Sequence, residues 1–138
     1  YRNGRIFTAN VEEPWVEAVA VARGKFVCVG SNAEVQGFVG MQTVARDLDG
    51  SFVLPGAVRA EGAPYHLEPP DRVLLVEPIS EERFFAYAQE RNGDGTGSIE
   101  AGKWADLIVL DGDPFTTASA NLRVLATVQR GRTVAAFE

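Results

Sequence analysis

Hydrophobic and polar positions alternate in short runs between turn residues, a rhythm that predicts strands rather than long helices. Glu17 to Ala22 alternates polar and small apolar side chains, Arg23-Gly24-Lys25 supplies a turn, and Phe26 to Val29 runs back. That arrangement predicts a β-hairpin. Ser31-Asn32-Ala33-Glu34 has the Ser-x-x-Glu form of a capping box, which satisfies free amides at a helix start. It opens a short helix through Val39, with Val35, Phe38 and Val39 spaced to form its apolar face. Thr43 to Leu48 and Ser51 to Leu54 read as strands around an Asp49-Gly50 turn, and Pro55-Gly56 ends the segment.

The middle of the chain differs in character. Gly62 to Asp71 is proline-rich and lacks periodicity, so it reads as loop, and Arg72 to Val76 reads as a short strand. Ser80 caps a helix through Gln89, with Glu81 and Glu82 in the first turn, near the positive end of the helix dipole. Phe84, Phe85, Tyr87 and Ala88 give that helix a packing face. Asn92 to Gly97 is a glycine-rich hinge. Asp106 to Leu110, Val124 to Arg130 and Thr133 to Phe137 then read as strands, the last two forming a hairpin across Gly131. Many short strands with two short helices predict a mainly-β fold, a small β-sandwich. It forms one domain over residues 1–138, with an N-terminal arm (1–56), a bridging segment (57–96) and a C-terminal arm (97–138).

A chain of 138 residues and 14.9 kDa is the size of one domain. A net charge of −6 and a pI near 4.8 argue against nucleic acid as a partner, because phosphate contacts need a basic face. No apolar run approaches the roughly 18 residues of a membrane span, and there is no signal-peptide pattern, so no membrane partner is expected. Cys28 is the single cysteine, which excludes an intrachain disulfide and a multi-cysteine metal site. A reducing cytoplasm is the expected location.

Four phrases carry a resemblance. NGRIFT from Asn3, EAVAVARGKFVCVGS from Glu17, DLDGSFVLPG from Asp47 and GSIEAGKWADLIVLDGDPF from Gly97 resemble the two halves of the small β-sandwich that brackets the barrel of metal-dependent amidohydrolases. The similarity is greatest to the subfamily with long N- and C-terminal arms. It implies a parental activity of metal-dependent hydrolysis of non-peptide carbon–nitrogen bonds, with zinc or another divalent metal held in the barrel. In that family the phrase ending LPG leads to an Asp-x-His-x-His metal motif. Here the Asp position is matched by Arg59 and the two His positions by Glu61 and Ala63. A barrel needs about 250 residues, and residues 57–96 have room for a helix and a strand. The resemblance thus implies the sandwich without its barrel, a non-catalytic module with no catalytic, cofactor or metal residues of its own.

The candidate chemistry is sparse. His66, the one histidine, lies near Glu61 and Glu68, and these three are the polar site of an alternative, a small ligand-binding protein or minimal hydrolase. One histidine does not make the multi-histidine centre that holds zinc and activates water. Asp111-Gly112-Asp113-Pro114 reads as a turn, and Gly93-Asp94-Gly95-Thr96-Gly97-Ser98 lacks the Lys-Ser/Thr ending of a phosphate loop. Cys28, in an apolar strand, reads as a small buried hydrophobe. In Gly102-Lys103-Trp104-Ala105-Asp106, Gly102 turns the chain, Trp104 covers core and Asp106 bonds local backbone before the strand, and no catalytic role falls to Lys103. An uncovered barrel-facing surface would favour a weak homodimer.

Overall fold

The computed structural model describes residues 1–41, 43–56, 65–68, 72–75, 81–91, 95–115 and 123–136. Among these the fold is mainly β. The N-terminal arm forms β1 (Arg5–Phe7), β2 (Trp15–Val16), β3 (Ala18–Ala22), β4 (Lys25–Gly30), helix α1 (Asn32–Gln36) and β5 (Phe52–Pro55). The bridging segment forms β6 (Tyr65–Glu68), β7 (Arg72–Leu75) and helix α2 (Glu81–Arg91). The C-terminal arm adds β8 (Leu107–Leu110), β9 (Val124–Gln129) and β10 (Arg132–Ala136).

Both arms enter one six-stranded sheet, ordered β10-β9-β8-β5-β1-β2. The seam between them is β5 against β8, antiparallel, with Phe52 opposite Leu110 and Pro55 opposite Leu107. β1 and β5 run parallel, so the chain between them must cross over, and it does so through β2, the β3–β4 hairpin and α1. Side chains alternate across this sheet and fill two cores. On one face Ile6, Val53, Leu107, Val109 and Val128 pack with Val19 and Phe26 of the hairpin. On the other face Phe7, Leu54, Ile108, Leu110 and Val124 pack with Phe84 and Ala88 of α2. The hairpin is therefore the second layer of the sandwich, and α2 covers the opposite side. Val124 and Val128 are an even number of residues apart yet serve opposite cores. A register shift makes this possible: Leu110 pairs with Val124 but Val109 with Ala126, leaving Leu125 as the extra residue.

The hairpins follow from their turn residues. Arg23 and Gly24, Asp49 and Gly50, and Arg130 and Gly131 all adopt positive φ, the backbone that tight two-residue turns demand. The capping box of α1 is formed as expected, with Ser31 accepting from the Glu34 amide and Glu34 accepting from the Ser31 amide. The face of α2 is also as expected: Phe84, Tyr87 and Ala88 are buried and Phe85 is packed against the same core.

Three expectations are corrected. Helix α1 ends at Gln36, and of its expected face only Val35 is buried, whereas Phe38 and Val39 are exposed. Gly37 caps the helix with right-handed backbone (φ −63°, ψ −15°), and the amides of Phe38 and Val39 bond back only three residues, to Val35 and Gln36, as isolated turns. Thr43 to Leu48 is not a strand; its one ladder contact is a bridge between Arg2 and Asp47. The alternation there has no neighbouring strand to pair with, and residues 43–47 are exposed. Conversely, Tyr65 to Glu68 lies within the segment read as loop but pairs with β7, with His66 opposite Leu74 and Glu68 opposite Arg72.

Candidate functional site

Two places in the described structure gather polar chemistry. The first is a cleft of about 660 Å³ where β1, β2 and β5 meet the start of α1, with Arg5, Glu13, Trp15, Glu17, Glu34 and Asp113 among its walls. Its aromatic side is fixed by the core. Trp15 leans on Phe7 at 5.1 Å and on Phe115 at 6.1 Å, and its indole N–H donates to Glu81 at 3.0 Å. Arg5 lies over the Phe52 ring at 5.2 Å. The carboxylates of Glu17, Glu34 and Asp113 are bonded to backbone amides. Glu17 accepts from the Asn32 amide at 2.8 Å, Glu34 from Ser31 at 3.1 Å, and Asp113 from Phe115 at 2.9 Å. These are helix-start and turn bonds that hold the local chain.

The second is a cluster on the turn before β8. Lys103 Nζ donates to Ser98 Oγ at 2.5 Å, Ser98 Oγ donates to Glu100 at 2.5 Å, and Lys103 pairs with Glu100 at 2.9 Å. Burial works against ionising Glu100, but the bonds from Ser98 and Lys103 and the lysine's charge outweigh it and hold its pKa below the ordinary glutamate value. A serine beside a lysine suggests a nucleophile and base. The geometry answers otherwise. A lysine acting as base must accept the serine proton, whereas here Lys103 donates to Ser98 and the serine proton points to Glu100. Ser98 is also buried. The cluster is a clasp that shapes residues 98–103, while Ile99 between its members is anchored by donating to the Thr8 carbonyl at 2.7 Å.

Trp104 follows this clasp. It is partly exposed rather than a core cover, and it is held between two cations, Lys25 at 4.8 Å and Arg130 at 4.5 Å from the ring centroid. Asp106 bonds backbone at long range rather than locally: it accepts from the Arg130 amide at 2.8 Å and ties β8 to the β9–β10 turn. Asp113 accepts from the Phe115 amide at 2.9 Å, a local turn bond, whereas Asp111 accepts from the distant Arg123 amide at 2.9 Å. Cys28 is partly exposed on β4, a correction to its reading as buried; burial first, then the charges of Glu34 and Glu13, raise its pKa, so its thiol is not activated.

Of the candidate site residues, His66 and Glu68 lie on β6, two positions apart in one strand. Arg59, Glu61 and Ala63 lie outside the described residues, as do Ser80 and the Asn92–Asp94 part of the hinge. No group of three or more His, Cys, Asp or Glu among the described residues is placed to share a metal ion. No described helix is long and apolar enough to cross a membrane. The clasp escaped sequence reasoning, although its spacing of Ser98, Glu100 and Lys103 around Gly102 is the signal that could have exposed it.

Comparison with known proteins finds two short similarities. The chain is 38% identical over 56 residues to Protein LONG AFTER FAR-RED 3 of Arabidopsis thaliana, covering 41% of this chain and 10% of that protein. It is 38% identical over 64 residues to Exoenzymes regulatory protein AepA of Pectobacterium carotovorum subsp. carotovorum, covering 46% of this chain and 14% of that protein. The matches thus span a small fraction of these relatives, which are several times longer than this chain. No protein-family model matches the chain. No solved structure matches it.

Proposed function

We propose that this chain is a non-catalytic β-sandwich module of an amidohydrolase-like protein, whose parental activity is metal-dependent hydrolysis of non-peptide carbon–nitrogen bonds, and that it works in the cytoplasm. One observation carries the reading. β5 and β8 are neighbours in the sheet, and the Gly56 amide donates to the Asp106 carbonyl at 2.9 Å. The chain therefore leaves the sheet and returns to it at nearly the same place. An insertion of any length at that point leaves the sheet core untouched, because the closure cost grows only as about 0.6 kcal/mol per doubling of loop length.

The residues at the matched metal positions do not fit the family's metal. Arg59 and Ala63 offer no lone pair to a divalent ion, and Glu61 alone is a hard oxygen donor. No hydrolytic step is assigned to this chain. The test is metal analysis of the purified protein after dialysis against zinc, together with an assay on simple and cyclic amides. The module reading expects no stoichiometric zinc and no turnover. Zinc retained at one equivalent and lost in His66→Ala, or turnover lost in Glu61→Gln, would replace it with the minimal-hydrolase alternative.

A further inference from the structure

A groove of about 1140 Å³ runs between the β3–β4 hairpin and the segment from α1 to Arg46, ending at the β9–β10 turn. We propose that this groove docks an acidic, amphipathic peptide segment of a partner protein. The inference stands apart from the parentage argued above, since it uses only the groove's shape, surface and charge.

The groove exists because of residue sizes. Ala20 and Ala22 on one wall carry a single methyl each, so the hairpin leaves space there, and Val19 and Val35 form a buried floor. The opposite wall is the unexpected part. Where helix α1 stops early, Phe38, Val39, Met41 and Val44 are left 53%, 44%, 105% and 72% exposed. Scattered apolar residues on a surface are ordinary, but these four fall within one short stretch of chain, Phe38 to Val44, and line one concavity. Its volume lies above the roughly 300–1,000 Å³ of small-molecule pockets, which favours a segment of polypeptide. Met41, unbranched and polarizable, suits a wall that adapts to side chains.

Charge selects the occupant. The protein carries 19 acidic and 13 basic residues, yet the charged side chains lining this groove are Arg2, Arg46 and Arg132, with no aspartate or glutamate among the lining residues. All three arginines are exposed. An apolar trough with a cationic rim in an otherwise acidic molecule is complementary to a helix with apolar anchors at i, i+3, i+4 and i+7 and acidic flanks. The same rim disfavours a second copy. A two-fold pairing through the groove would set the two arginine sets against each other. A lipid surface fits less well, because a bilayer does not fill a recess whose floor is buried.

The probe is a synthetic amphipathic peptide of about four helical turns with leucine anchors and glutamate flanks, set against the same peptide with lysine flanks. Fluorescence anisotropy with the full chain should show micromolar binding of the acidic peptide and at least about tenfold weaker binding of the basic one, a difference of about 1.4 kcal/mol. Binding should fall at least about tenfold in Phe38→Ser and in the double variant Arg46→Glu, Arg132→Glu, and weaken as salt is raised to ~0.5 M. These side chains are exposed, so unchanged thermal melts of the variants confirm that the loss is at the surface. Equal binding of both peptides, no binding of the acidic peptide, or binding indifferent to the variants overturns the proposal. So does retention on phosphatidylserine vesicles lost in Phe38→Ser, or a sedimenting dimer lost in the same variant.

Discussion

Single residues in this protein act mainly by completing backbone geometry. Glu100 is the clearest ionisable case. Its pKa is depressed in the folded state, so the stabilisation it contributes is present above the ordinary glutamate range and disappears as pH falls through the folded value. Thermal melts of the wild type and Glu100→Gln should therefore differ at neutral pH and converge in acid; a gap that stays constant with pH would mean the carboxylate's charge is irrelevant. Two glycines separate strain from space. Gly131 has φ +80°, and an added methyl would meet Val21 Cγ1 at 2.9 Å, whereas Gly50 has φ +79° with nothing within 4 Å. Gly50→Ala should cost about 1 kcal/mol from backbone strain alone. Gly131→Ala adds a clash with a β-branched side chain and should cost roughly 2–3 kcal/mol by denaturant unfolding.

At the scale of elements, two phenylalanines in helix-like sequence have opposite fates. Phe84 on α2 is buried, stacked edge-on to Phe7 at 5.5 Å and Phe115 at 5.6 Å, while Phe38 just past α1 is exposed. Phe84→Ala should lower stability by about 3–5 kcal/mol. Phe38→Ala should change it by less than about 0.5 kcal/mol. Comparable losses from both, measured by urea unfolding, would contradict the packing described. The contrast arises because α2 runs from Glu81 to Arg91 and lies on the sheet, whereas α1 covers Asn32 to Gln36 and has no layer beneath its continuation. A local pattern sets which residues could share a face, and the presence of a neighbouring surface decides whether that face is used.

The whole molecule depends on a sheet shared between distant segments. β5 of the N-terminal arm has β1 on one side and β8 of the C-terminal arm on the other, and both cores draw residues from both arms. A peptide of residues 1–56 would expose Leu54 and Val53 to water along with one edge of β5. It should therefore remain unfolded by circular dichroism and NMR dispersion, and gain cooperative structure when residues 57–138, which carry α2 and the C-terminal arm, are supplied. A folded, cooperatively melting 1–56 peptide would break the link between the arms. The Gly56 to Asp106 contact is where this shared architecture tolerates an insertion, and it is the feature on which the proposed module reading rests.

Much of the local structure was legible in the sequence because it is dictated by neighbours in the chain. The Arg23-Gly24, Asp49-Gly50 and Arg130-Gly131 turns, the Ser31–Glu34 capping box and the packing face of α2 all follow from positive-φ preference, side-chain-to-amide bonding and a 3.6-residue period. The β6 strand and the exposed 43–47 segment were not legible, since strand formation requires a partner and no local pattern says whether one is present. The bulge that sends Val124 and Val128 to opposite cores belongs to the same class. So does the arginine-rimmed groove, whose Arg2, Arg46 and Arg132 are far apart in sequence and meet only when β3, the 38–46 segment and the β9–β10 turn are assembled. Sequence alone determined the turns, caps and periodic faces, which short-range sterics and hydrogen bonds enforce. Tertiary structure alone decided which apolar faces found cover and which charges came together, because burial and electrostatic complementarity depend on residues that the chain brings near only by folding.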